Sequence, residues 1–498
     1  MSTNPVTEPD VLIVGVGFGG LAALHRLRTD HPDLAVLAVE RAESPGGVWR
    51  DNSYPGAACD VPTSLYSLSF ADNPDWSHTY GRGWEIKNYA ESVAAAFADQ
   101  IRYGCEVLSA TWDSDDQRWI VETSEGPIRT RFLIAAPGAL SAPTTPAVPG
   151  LDEYEGTVFH TAAWNHAHDL TDRRVAVIGS GASAIQVAPE IVDKVAELVV
   201  FQRTPSWVIP RLDRTIGPME RAVYQRFPKA HRAARKFTWL THEFHVFAMA
   251  HHQRVLRAFR AISLAHLRRQ VTDPELRRRL TPDFTIGCKR ILISNKWYPA
   301  LVHPHTRVTG ALASLTPTGA VSADGTEFEV DTVIFATGFT PTSPPLAKVI
   351  VGRDGRRLDE VWHGSPSAYR GVEVPDFPNL FLLYGPNTNL GHSSIILMLE
   401  AQAYYIGQAL AHLKAVDAPT VEVTEAARDA YVADIDAQLT GTVWNSGGCG
   451  SWYIDSTGRN SVMWPTYTGT YRRMMSHFAP ADHVIGVPAP VREPVVRS

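Results

Sequence analysis

The stretch VLIVGVGFGGLAALHRL, residues 11–27, decides the fold. Four apolar residues in a row suit a strand covered on both faces, the glycines suit a tight turn, and the spacing that follows suits a helix. A second strand, LAVLAVE, then ends at Glu40. The same phrase returns at residues 175–191 as VAVIGSGASAIQVAPEI, and its second strand, LVVFQRT, ends at Thr204. Two strand–turn–helix–strand units predict an α/β fold with two Rossmann-like dinucleotide-binding domains.

The rest of the chain is organised around these units. Its 498 residues exceed one ordinary domain. The Pro-rich run SAPTTPAVPG, residues 141–150, marks a crossing between domains. Residues 214–280, rich in Arg, Ala and His at helical spacing, read as a helical insertion. DTVIFATGF, residues 331–339, reads as a further strand. The expected division is a first domain at 1–143 resumed at 336–498, a second at 144–213 resumed at 281–335, and the insertion at 214–280.

Gly15, Gly17 and Gly20 form GxGxxG at the start of a helix, with Gly19 inside the motif. Glycine lets the backbone approach a pyrophosphate whose charge sits at the helix N-terminus. Glu40 can accept hydrogen bonds from ribose hydroxyls and would repel a 2′-phosphate, so this site suits FAD or NAD. In the second copy, Gly179-Ser180-Gly181-Ala182-Ser183-Ala184 is the GxGxxA variant, and Arg203 and Thr204 stand where the first copy has Glu40. A guanidinium and a hydroxyl can hold a 2′-phosphate, which points to NADPH. A flavin site and an NADPH site in one chain imply hydride transfer to the flavin.

Composition excludes other classes. A net charge of −6 argues against a nucleic-acid partner, which needs a concentrated basic surface. Cys59, Cys105, Cys288 and Cys449 lie far apart without CxxC spacing. Neither a zinc site nor a disulfide is expected, no redox pair is evident to serve a disulfide reductase, and a reducing cytoplasm fits. The polar opening MSTNPVTEPD is not expected to be a signal peptide. The most apolar helical stretch, residues 238–267, carries too many charges to span a bilayer and reads as a soluble or peripheral helix. The composition leaves room for a homo-oligomer.

Between the two units lies YEGTVFHTAAWN, residues 154–165. With Gly156, His160 and Trp164 it resembles the GxxxHxxxW fingerprint of the type I Baeyer–Villiger monooxygenases, within the flavin-containing monooxygenase superfamily. Tyr154 replaces the usual Phe and Asn165 the final Pro or Asp. Further matches are GGVW at 46–49, YPGAACDVPTSLYSLSF at 54–70, GCKRILIS at 287–294, ATGF at 336–339 and CGSWYIDSTGRNSVMWP at 449–465. Pro137 departs, standing in AAPG where the family has the Thr of ATG, a change expected to be tolerated in a linker.

The resemblance implies a reaction and its residues. NADPH reduces FAD, dioxygen adds at the flavin C4a carbon as a peroxide, and attack on a ketone yields an ester or lactone. It implies that Arg290 stabilises the anionic oxygens, because an arginine stays protonated, and that Asp60 orients it. Gly47, Val48, Trp49, Tyr66 and Val107 are expected at the flavin dinucleotide. Lys289 is expected to join Arg203 and Thr204 at the 2′-phosphate, and Trp452 to contact the NADP ribose. His160 is expected to position domains rather than act as an acid or base. No metal is expected. The alternatives are N- or S-oxygenation, an NADPH oxidase and a non-enzymatic flavin-binding module. The ketone is expected to be hydrophobic and the location cytoplasmic.

Overall fold

The computed structural model describes residues 7–486. Residues 1–6, part of the opening expected not to be a signal peptide, lie outside the described residues, as do 487–498. Two five-stranded parallel sheets organise the chain. The first runs Leu380–Leu382, Phe132–Ala135, Val11–Val14, Val36–Val39, Ile101–Arg102. The second runs Thr306–Thr309, Glu197–Phe201, Arg174–Ile178, Thr332–Phe335, Thr157–His160. Their central strands are fully covered, with Val11, Leu12, Ile13, Val175, Ala176 and Val177 at 0% exposure. This explains why these strands read as unbroken apolar runs rather than alternating ones.

In both sheets the first strand of the repeated phrase lies between its partner strand and a later one. Val11 pairs with Val36 on one side and Phe132 on the other; Val175 pairs with Leu198 and Thr332. Strand order reverses at these points, and a crevice opens past the carboxyl ends. The glycine turns sit there. Gly15 (φ +103°) and Gly179 (φ +131°) hold the same place, because a Cβ on either would lie 2.5 Å from a carbonyl oxygen, of Ala136 and Ala336 respectively. No side chain fits that approach. The helices that follow are Phe18–Asp30 and Ala184–Ile191.

Because the first sheet takes an edge strand from residues 380–382 while the second uses 157–335 only, the second unit is inserted into the first. The chain crosses between them twice, and the two crossings run together: Thr144 N donates to Gly338 O at 2.9 Å, and Pro143 bridges to Phe339. Thr337 on the return crossing donates its hydroxyl to Thr144 O. Pro137 occupies the matching place on the outward crossing and lines an apolar cavity with Leu346, Trp362 and Leu382.

The first unit is closed by the helix Ile395–Ala415, which packs on Phe18–Asp30 and buries Met398 and Tyr405 completely. Residues 214–280 form the helices Pro218–Arg226, Pro228–Val246, Leu256–Gln270 and Pro274–Arg279. The stretch read as one apolar helix at 238–267 is two: the chain passes through a π-turn at Phe247–His251 and breaks at His252 (φ −135°, ψ 68°). Among the described residues no helix is long and apolar enough to cross a membrane.

Candidate active site

Each glycine turn leaves room in front of it. A Cβ on Gly17 would meet only Gly47 Cα, at 3.9 Å, and one on Gly181 would meet nothing within 4 Å. That open space faces the helix start, where a pyrophosphate gains most from the backbone N–H groups. The residues present therefore fit a dinucleotide at both turns. Glu40 ends its strand almost buried, and its carboxylate accepts Val16 N at 3.0 Å and Ala42 N at 3.1 Å, with Arg50 Nη1 at 3.0 Å. It thus braces the turn itself. Arg50 is a site neighbour that sequence reading missed, although it follows GGVW directly.

Gly47 adopts φ +50° and opens the short helix Val48–Asp51, which brings Trp49 against Tyr66. Trp49 Nε1 donates to Tyr66 Oη at 2.9 Å, and Tyr66 packs edge-on to Phe18 at 5.5 Å. Val107 starts the strand Val107–Asp113, two residues after Cys105, whose N–H donates to Glu40 O.

Asp60 and Arg290 are 230 residues apart and meet in a two-point pair, Nε to Oδ2 at 2.5 Å and Nη2 to Oδ1 at 2.6 Å. Their side chains keep 25% and 35% of their surface open, so the pair lines a crevice rather than the core. Lost hydration pulls the Arg290 pKa down, but the charge and hydrogen bonds of Asp60 outweigh it and the net shift is upward. The guanidinium stays cationic at any working pH. Burial raises the Cys59 thiol pKa to about 12 and the Tyr453 hydroxyl to about 12, so neither contributes a competing anion near neutrality.

The loop carrying Asp60 is docked on the second unit by contacts that the sequence did not reveal. Gln186 accepts from Tyr54 Oη at 2.9 Å and donates to Ala58 O at 2.9 Å. Gly56 permits this approach, since a Cβ there would lie 2.6 Å from Gln186 O. Arg211 Nη2 donates to Cys59 O at 3.2 Å from the same side. The pair therefore stands at the junction of the two dinucleotide units.

Around the second turn, Ser180 Oγ donates to Thr204 O at 2.7 Å and Ser206 Oγ to Ser180 O at 2.8 Å, tying the turn to the strand end. Ser183 precedes the helix, Ala184 opens it and is fully buried, and Ala182 is exposed. Lys289 loses pKa through burial and then through the neighbouring Arg203. Asp283 pulls it partly back up; neither cation makes an ion pair among the described residues, which leaves both available to an anion.

Trp452 is 42% exposed and touches Tyr453 edge-on at 4.6 Å. Its loop is tethered to the GCKR turn, because Cys288 and Cys449 form a disulfide. This corrects the expectation of no disulfide. Pairing depends on where the topology returns the chain, and a separation of 161 residues carries no spacing signal. Cys59 and Cys105 are free and buried.

His160 is buried at the first crossing. Its Nδ1 accepts Ala162 N at 3.0 Å and its ring lies edge-on to Phe339 of the return crossing at 5.9 Å. Gly156 lies so close to Tyr154 and Asp331 O that a Cβ would meet them at 2.3 and 2.7 Å. Trp164 packs edge-on to Phe159 at 5.1 Å. These three serve the connection and none contacts Arg290 or Asp60.

A buried pair near Arg290 was also missed. His392, with its side chain at 0% exposure, lies 3.7 Å from Glu243 of the helix Pro228–Val246. Glu243 accepts Thr468 Oγ1 at 2.5 Å and Thr468 N at 3.2 Å, while neither His392 ring nitrogen has a hydrogen-bond partner among the described residues. Burial lowers the His392 pKa, Glu243 raises it and Arg290 lowers it again. Among the described residues no group of three or more His, Cys, Asp or Glu could hold a metal ion.

Comparison with known proteins agrees with this geometry. Residues 13–82 match the NAD(P)-binding Rossmann-like domain and residues 63–238 the pyridine nucleotide-disulphide oxidoreductase family. A Baeyer–Villiger monooxygenase of Streptomyces coelicolor is 44% identical over 97% of this chain and 93% of its own. Another from Pseudomonas aeruginosa is 40% identical over 98% and 94%. Among solved structures, an oxidised steroid monooxygenase bound to NADP superimposes with TM-score 0.85 at 31% identity, covering 96% of this chain and 99% of that one. A closed cyclohexanone monooxygenase does so with TM-score 0.84 at 28% identity, covering 97% and 99%.

Proposed function

Since the chain belongs to the Baeyer–Villiger monooxygenase family, we propose that it uses NADPH, dioxygen and FAD to convert an apolar ketone to an ester or lactone. When bound, FAD takes hydride from NADPH and activates dioxygen. What this chain's own residues contribute is positioning and charge.

The observation that carries the reading is the two-point Arg290–Asp60 pair at the junction of the two dinucleotide units. In its proposed role the guanidinium stabilises negative charge on oxygen during attack at a carbonyl. Asp60 fixes its direction and keeps it protonated. A preoriented donor of this kind needs no reorganisation as charge develops. Electrophilic N- or S-oxygenation would gain less from a permanent cation there. Gly15, Gly17, Gly19, Gly20, Glu40, Gly47, Trp49 and Tyr66 would hold FAD. Gly179, Gly181, Arg203, Thr204 and Lys289 would hold NADPH. Trp452, on its tethered loop, would contact the NADP ribose, and Gly156, His160 and Trp164 would position the two domains at the crossing. The proposed boundaries are those expected from the sequence, with the insertion at 214–280. Dependence on NADPH favours a cytoplasmic location.

The test is a panel of linear, cyclic, aromatic and steroidal ketones assayed beside a thioether, following NADPH consumption and product mass. Ester or lactone formation coupled to NADPH is expected. Rapid sulfoxide formation without detectable ester, or hydrogen peroxide released in equal amount to NADPH with every compound, would overturn the reading.

A further inference from the structure

The helical insertion has a surface that the reaction does not use. Between residues 226 and 272 the chain carries ten lysines and arginines and one acid, Glu243, in a protein whose net charge is −6. Glu243 is buried. Of the ten cations only Arg235, on the inner side of its helix, makes an ion pair among the described residues, with Glu400 at 3.9 Å. The other nine are exposed.

Apolar side chains are exposed beside two of these cations. Phe237, Leu240 and Phe244 of the helix Pro228–Val246 are 70%, 51% and 57% exposed. At about 100° per residue they fall, with Lys229 and Lys236, within an arc of about 100°. One helix face thus carries Lys229 near its start, Lys236 at its middle and three large apolar side chains in its second half, while the helix's one acid, Glu243, falls just outside the arc and is buried. Leaving three such side chains in water forgoes the gain that burial gives them. A partner that takes both the apolar stripe and the cations accounts for the arrangement.

We infer that this face docks on the surface of an anionic phospholipid bilayer, with Phe237, Leu240 and Phe244 entering the headgroup–acyl boundary. Amphipathic helices with basic flanks bind bilayers in this way, lying in the interface without crossing it. Charge complementarity selects this occupant over a second copy of the chain, because two such faces would oppose cation to cation with no acid to pair them. Duplex nucleic acid would satisfy the cations but leave the aromatic stripe in water.

The inner face of the same helix reaches the proposed active site. Arg235 Nη1 donates to Ser67 O at 2.8 Å in the loop segment that carries Asp60, Trp239 Nε1 donates to Thr468 Oγ1 at 2.8 Å, and Glu243 stands by His392. Docking would set the wall of the site against the bilayer, where an apolar ketone concentrates. This consequence, though not the docking itself, rests on the proposed ketone oxygenation.

The test is flotation of the FAD-loaded full chain with vesicles of phosphatidylcholine alone or mixed equally with phosphatidylglycerol, at low salt. Binding to the mixed vesicles, weakened by salt, is expected. The triple variant Phe237→Ser, Leu240→Ser, Phe244→Ser and the double variant Lys229→Glu, Lys236→Glu should each weaken it about tenfold or more. Their substituted side chains are exposed, and retained flavin absorbance together with an unchanged NADPH oxidation rate would show that they fold. A wild-type chain that stays unbound by mixed vesicles overturns the inference. So does binding that the triple variant leaves unchanged, or tight binding to a duplex DNA fragment without vesicle binding. Vesicle binding by a chain that oxygenates no ketone would keep the docking and discard the reaction; ketone turnover without vesicle binding would do the reverse.

Discussion

Arg203→Ala separates the two nicotinamide cofactors. Arg203 and Lys289 make no ion pair among the described residues, and burial first and then the charge of Arg203 lower the pKa of the lysine, against a smaller upward pull from Asp283. A 2′-phosphate placed between them would relieve that repulsion and gain charge-assisted hydrogen bonds. Losing such a contact costs about 1–3 kcal/mol. At about 1.4 kcal/mol per decade, this raises the KM for NADPH about 5- to 150-fold. Lys289 remains in the variant, so the lower half of that range, about 5- to 30-fold, is expected. NADH lacks the phosphate, and its KM should change by less than about twofold. Lys289→Ala should behave alike, and the double variant should lose less than the sum of the two, because both groups act on one phosphate. Initial rates with each cofactor and each variant provide the assay. Equal increases for NADPH and NADH, or strict additivity, would refute the reasoning.

Three further outcomes follow from the same structure. Unfolded without reductant, the chain should titrate two thiols, Cys59 and Cys105, and four after reduction; four at the outset would remove the tether on the Trp452 loop. Burial lowers the His245 pKa from 6.5 to about 4. The folded state therefore binds fewer protons than the unfolded one in this window, and stability should fall as pH drops from about 6.5 towards about 4; a urea midpoint that stays level across it, or a His245→Gln variant with the same slope as wild type, would contradict this. Gly56→Val should weaken the docking of the Asp60 loop on Gln186, slowing product formation far more than flavin reduction; equal slowing of both would contradict it.

Some of this was legible in the chain and some was not, for physical reasons. The two units were readable because strand, glycine turn and helix are local and each imposes its own periodicity. The equivalence of Gly15 and Gly179, each closed by the carbonyl of an alanine from a later strand, follows from that repetition. The nesting of the second unit was suggested by Pro-rich punctuation alone. Contacts between distant segments left no trace. Cys288 and Cys449, Gln186 and Ala58, Glu243 and His392 are each brought together by topology, and a single glutamine or histidine has no spacing to mark it. The break at His252 went unread because it involves neither proline nor glycine. Arg290 and Asp60 were reached only through resemblance to a family, since nothing in either residue's neighbourhood along the chain names the other.

The most direct test of the account is stopped-flow analysis of Arg290→Ala loaded with FAD. Anaerobic reduction by NADPH should persist within about threefold, while ester or lactone formed per NADPH falls by about a hundredfold or more, the scale for loss of a preoriented donor to a developing oxyanion. The missing oxygen should leave as hydrogen peroxide. A variant that yields product per NADPH at the wild-type ratio would contradict the role of the guanidinium.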